Sequence, residues 1–138
     1  MQEKYLEFKL GAPDYVTVET EEERLVCQGG RSAVTVGSTT VEFEDAGEHE
    51  DIFITSEDAV KCVKLRWNYR IPKSARFFGD AWERTYGDME WHGMSGNRYL
   101  PWYFLAKLSE RILCFGVKVR PSAMCYWQAD TKGITLFL

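Results

Sequence analysis

Between Arg76 and Trp102 the chain concentrates the side chains best suited to chemistry. Eleven of its twenty aromatic residues lie within Trp67–Phe104, a span that contains Phe78-Gly-Asp-Ala-Trp-Glu-Arg-Thr-Tyr-Gly-Asp-Met-Glu-Trp91. Acids, an arginine and rings are mixed there on both notional faces of the chain. Such a mixture suits a ligand with both apolar patches and hydroxyls, and sugars are ligands of that kind. The C–H face of a pyranose lies on a Trp or Tyr ring, while carboxylates and guanidinium groups take its hydroxyls in directional hydrogen bonds. Trp82, Tyr86, Trp91 and Trp102 are the candidate platforms, and Asp80, Glu83, Arg84, Asp88 and Glu90 the candidate polar partners. Each also has a plainer reading, the rings as core and an acid beside Arg84 as a structural ion pair. The cluster argues for a site more strongly than any one of its members.

A complete catalytic apparatus is not legible in these residues. Glycoside hydrolysis uses two carboxylates, about 5–5.5 Å apart for retention or about 6.5–9.5 Å for inversion, flanking the substrate. Asp88 and Glu90, at i and i+2 on a strand, would share one face at roughly 7 Å, and a pair on one face does not flank anything. Ser-His-Asp, Cys-His, phosphate-loop and dinucleotide patterns are absent from the sequence. Cys27, Cys62, Cys114 and Cys125 form no Cys-x-x-Cys, and neither His49 nor His92 stands at zinc spacing from them. The expectation is no cofactor, no metal, and four free, buried thiols in a reducing cytoplasm. His92, beside Trp91, reads as a hydrogen-bonded structural residue.

Period-two alternation dominates the rest of the chain and must position this stretch. Leu6, Phe8 and Leu10 alternate with charges; so do Val16 and Val18, Val41 and Phe43, and most cleanly Val63, Leu65, Trp67 and Tyr69. Each pattern puts one face on a core and the other in water. Further strands are expected at 24–28, 32–36, 51–55, 111–120, 124–129 and 134–138, separated by Gly- and Pro-containing turns such as Gly29-Gly30, Gly37-Ser38 and Lys132-Gly133. The best helical candidate is Pro101–Glu110, although Trp102-Tyr-Phe-Leu reads equally as a buried strand. The fold class expected is all-β, an antiparallel β-sandwich with at most one short helix, formed as a single domain over residues 1–138.

Charge narrows the partners. Residues 1–69 carry 15 acids against 7 bases, and residues 70–138 carry 6 acids against 10 bases. The acids gather at Glu19–Glu23 and Glu42–Asp51, which read as solvated turns. The bases are spread out, without the stripe that a phosphate backbone demands, so nucleic acid is not an expected partner. The charged start lacks the apolar run of a signal peptide, and no stretch approaches the roughly 18 apolar residues of a membrane span. A cytoplasmic location without membrane association is expected. The end, Gly133-Ile-Thr-Leu-Phe-Leu138, is a strand pattern that stops at its most apolar point. That pattern is expected of a piece excised from a longer protein.

Gly79-Asp-Ala-Trp-Glu-Arg-Thr-Tyr-Gly-Asp-Met-Glu-Trp91, followed by Leu100-Pro-Trp-Tyr-Phe-Leu105, resembles the N-terminal region of bacterial glycoside hydrolases of the α-galactosidase (melibiase) type. The resemblance covers roughly Arg76–Leu105. It implies a β-supersandwich domain followed by a catalytic (β/α)8 barrel that carries the catalytic aspartates, so no catalytic residue falls on this chain. It also implies that the chain lends substrate-proximal side chains, docks on the barrel of its parent protein, and takes part in homo-oligomer contacts. Asp80, Trp82, Arg84, Tyr86, Asp88 and Trp91 are then the residues facing a galactoside-type carbohydrate or the barrel. Two other readings are a free-standing carbohydrate-binding module, and a structural or oligomerisation β domain whose aromatics fill a core or an interface.

Overall fold

A computed structural model describes residues 4–7, 9–79, 90–118 and 122–138. Among the described residues every regular element is a β-strand, no helix is present, and the paired strands run antiparallel. Among these residues no helix is long and apolar enough to cross a membrane. The chain divides into two compact units, Lys9–Trp67 and the combination of Met1–Phe8 with Asn68–Leu138.

The Lys9–Trp67 unit is built from β1 (Tyr15–Glu19), β2 (Arg24–Gln28), β3 (Ala33–Val36), β4 (Thr39–Asp45), β5 (Glu50–Ser56) and β6 (Cys62–Asn68). β1 pairs with β2 on one side and β6 on the other, while β4 lies between β3 and β5. The alternation is legible residue by residue, for Val63, Leu65 and Trp67 are buried and their neighbours are not. Val16, Val18, Val34, Val36 and Val41 join them in the core. β-branched residues suit this role because they pack well on a pleated surface. The Trp67 indole N–H donates to the Gly11 carbonyl at 2.9 Å, satisfying the one polar atom of a buried ring.

Glu19–Glu23 forms the expected solvated turn. The Thr20 hydroxyl accepts the N–H groups of Glu22 and Glu23, Glu21 pairs with Lys61, and Glu19 lies 2.8 Å from Lys64. That lysine, followed by Arg24 and Lys61, holds the Glu19 carboxyl below the ordinary carboxylate range. Elsewhere in the unit, the Gly29 and Gly30 N–H groups donate to the carbonyls of Asp14 and Pro13. Gly29 sits so close that a Cβ would overlap the Pro13 oxygen.

The second unit contains β7 (Arg76–Gly79), β8 (Leu100–Pro101), β9 (Tyr103–Leu108), β10 (Arg111–Gly116), β11 (Tyr126–Asp130) and β12 (Gly133–Phe137). β9 pairs with β7 and β10, and β11 with β12 and β8. The two sets meet through rings: Phe104 of β9 lies 5.5 Å from Trp127 of β11, and Phe115 of β10 stacks on Phe104 at 5.1 Å between centroids. Leu100, Ala106, Leu113, Ala129, Ile134 and Leu136 complete the core.

Three expectations are corrected. Pro101–Glu110 is not helical: Phe104 and Ala106 are fully buried and alternate with half-exposed or exposed neighbours, which is the period of a strand. Leu6–Leu10 forms no strand among its described residues, although Leu6 is buried and Tyr5 bridges Arg70. The four thiols are free, but only Cys125 is buried; Cys114 is exposed because it points outward from β10. Burial pushes the Cys125 thiol above its ordinary pKa.

Candidate functional site

The candidate stretch leaves β7 at Gly79 and is closed on its return by a backbone clasp. The Phe77 N–H donates to the His92 carbonyl, and the His92 N–H donates to the Phe77 carbonyl, both at 2.8 Å. This is the reciprocal pair of an antiparallel ladder reduced to a single rung. Phe77 can make it because its N–H and C=O point away from β9, while its ring is buried on the inner face. His92 thus acts structurally through its backbone.

Beside the clasp, Phe78 points to the outer face of the sheet, and its ring meets Trp91 at 5.5 Å with the planes tilted by 51°. Trp91 is 41% exposed, so one ring is propped by a neighbour while a good part of it remains open to solvent. Glu90 is exposed next to it, and the Arg76 guanidinium, anchored on the carbonyls of Ser74 and Ala75, lies against Gly93. An aromatic face, a carboxylate and a guanidinium are the kinds of group that a sugar subsite uses.

Of the residues expected to form the site, Trp91 is therefore placed at the surface beside Phe78. Asp80, Trp82, Arg84, Tyr86 and Asp88, with Glu83, lie outside the described residues. Trp102, a further candidate platform, is half-buried and held by its backbone. Its φ of 65° is unusual for a residue with a side chain. Its N–H donates to the Cys125 carbonyl, while its own carbonyl accepts from the Val117 N–H at 3.0 Å and the Trp127 indole at 3.3 Å. Those three bonds hold the left-handed turn that separates β8 from β9.

A second group of rings was not anticipated. Tyr126 of β11 stacks on Phe137 of β12 at 4.4 Å and 8°, and Tyr99 meets Tyr126 edge-on at 5.2 Å. The signal that could have found the stacked pair is the turn before Gly133, since that hairpin's register sets Tyr126 opposite Phe137. Among the described residues, no three His, Cys, Asp or Glu side chains gather closely enough to hold a metal ion. No protein-family model, curated protein or solved structure matches this chain.

Proposed function

We propose that this chain is a non-catalytic N-terminal β domain of an α-galactosidase-like glycoside hydrolase, presenting the 79–91 stretch to a galactoside-type substrate held by a catalytic barrel. The observation that carries the proposal is the clasped base of that stretch, with the Trp91 ring propped on Phe78 and open to solvent. The resemblance of Gly79–Trp91 and Leu100–Leu105 to the α-galactosidase type supplies the substrate class.

In this reading Trp82, Tyr86 and Trp91 offer apolar faces to the pyranose, and Asp80, Arg84 and Asp88 take its hydroxyls. The barrel supplies the nucleophile and the acid/base, and the chain contributes binding and positioning, which raise catalysis only when they act on the transition state. Alone, the chain turns over no α-galactoside. Reading the coding frame beyond Leu138 tests the proposal: a barrel encoded in frame is expected. A stop codon directly after Leu138 would contradict it and leave the free-standing sugar-binding module as the next reading, which the same exposed Trp91 also favours.

A further inference from the structure

Strand β10 ends its sheet with an edge whose backbone groups can be assigned residue by residue. The Val117 N–H donates to the Trp102 carbonyl. In an antiparallel ladder that bond makes Tyr103 and Gly116 a non-hydrogen-bonded pair, so Phe104 and Phe115 exchange bonds, as do Ala106 and Leu113. The N–H and C=O groups of Phe115, Leu113 and Arg111 therefore face β9. Those of Ile112, Cys114 and Gly116 face the opposite way, toward the open edge. Among the described residues no backbone hydrogen bond reaches that edge. The other edge of the same sheet is covered at Phe77 by His92.

Among the described residues the edge also lacks the devices that usually blunt one. Ile112–Gly116 contains no charge and no proline, and Ile112 is 53% exposed on the outer face with Cys114 exposed beside it. β5 makes an instructive contrast, since it too ends a sheet and exposes Phe53 and Ile54. Its two ends carry acids, Glu50 and Asp51 at one and Glu57 and Asp58 just past the other. Antiparallel pairing of β5 with its own copy would set acid against acid, and like charges across a ladder oppose pairing.

We infer that β10 is a dimerisation edge, joining two copies of this chain antiparallel through their β10 strands with Cys114 on the two-fold axis. In this register Cys114 exchanges bonds with the partner's Cys114, and Ile112 with the partner's Gly116. Every outward-facing backbone group from Ile112 to Gly116 is then used. The same register sets Glu110, at the turn before β10, opposite the partner's Lys118, so the ends carry opposite charges where those of β5 carry like ones. The outer-face row Phe78–Leu105–Cys114 continues across the axis into its symmetry equivalent. An isologous contact of this kind closes on itself and does not propagate into a fibre.

Light scattering on the size-fractionated full chain should give twice the monomer mass of 16.0 kDa. A mass that stays at the monomer value across the attainable concentration range overturns the inference. Ile112→Lys places a charge on the edge at an exposed position and should return the chain to monomer with an unchanged far-ultraviolet spectrum; a folded dimer that survives it contradicts edge pairing.

Two further readouts test the register. Directly opposed residues of a hydrogen-bonded pair have Cα atoms about 5.5 Å apart, within disulfide reach. Diamide, taking two protons and two electrons from the two thiols, should join the copies through Cys114. Cys114→Ser should abolish the band while Cys27→Ser and Cys62→Ser leave it. Glu110→Lys or Lys118→Glu alone should weaken the dimer, and the double exchange should restore it. A crosslink through another cysteine, or failure of the double exchange to restore, sinks this arrangement.

Discussion

Phe77 and His92 exchange two backbone hydrogen bonds of 2.8 Å across the base of the candidate stretch, fifteen positions apart in sequence. One residue does two jobs here, since the Phe77 ring is buried in the core while its backbone holds His92. His92→Pro removes the N–H of one bond and is expected to cost about 1 kcal/mol, with a further backbone penalty where the ring's fixed φ does not fit. Urea unfolding measures the loss, and a red shift of tryptophan emission reports Trp91 moving off Phe78. An unchanged midpoint and spectrum would show that the clasp is dispensable.

The two kinds of ring in the second unit should respond oppositely to truncation. Phe104 is fully buried between Phe115 and Trp127, so Phe104→Ala should destabilise by about 3–5 kcal/mol. Trp91 is exposed and, among the described residues, meets the ring of Phe78, so Trp91→Ala should cost about 1 kcal/mol or less, the size of an aromatic contact. Equal losses by thermal or chemical unfolding would mean that Trp91 is core.

Gly29→Ala tests the packing of the 13–14 segment on the 29–30 turn. The added methyl would overlap the Pro13 carbonyl oxygen, which is backbone and cannot rotate away. Overpacking of this kind costs about 1–3 kcal/mol. The substitution should lower the unfolding midpoint, and Gly30→Ala provides a comparison in which strain comes from a φ of 80° with open space around the Cβ.

Acid sensitivity should come partly from two surface carboxyls. The Lys9 ammonium 2.6 Å away, then the Gly47 N–H, hold Asp45 below the ordinary carboxylate range, and Lys64 does the same for Glu19. A depressed folded-state pKa contributes stability that is present above the unfolded value, near about 4, and lost as pH falls through the lower folded value. Asp45 is exposed and Glu19 partly so, and the contribution is small and screened by salt. Glu19→Gln and Asp45→Asn should lower the neutral plateau slightly and converge with the unsubstituted chain in acid, so that the fall of stability below about pH 4 is flattened; an acid fall as steep as that of the unsubstituted chain would contradict this.

The elements that alternate cleanly were legible residue by residue. β2 occupies Arg24–Gln28 as expected, and β6 follows from Val63, Leu65 and Trp67 because only one of its faces is apolar. β7 was hidden by the adjacent Phe77 and Phe78. One fills the core and the other supports Trp91, so both faces are apolar and the period-two signal vanishes. The break between β8 and β9 was hidden for a different reason, since a left-handed turn at Trp102 carries no glycine to announce it. Within the candidate site, the density of rings and acids was visible, but the clasp was not. A single backbone rung between Phe77 and His92 depends on which way a strand's N–H groups point, and side-chain types do not encode that.

Titration of the chain with methyl α-galactoside, followed by ¹H–¹⁵N NMR, tests the sugar-facing role of 79–91 most directly. The expected result is saturable shifts of the Trp91 indole N–H and of the backbone amides at Phe78, Gly79 and Glu90–Gly93, abolished by Trp91→Ala and not reproduced by a non-sugar polyol. Spectra that stay unchanged up to the solubility limit of the sugar, or shifts confined to residues remote from the clasp, would contradict it.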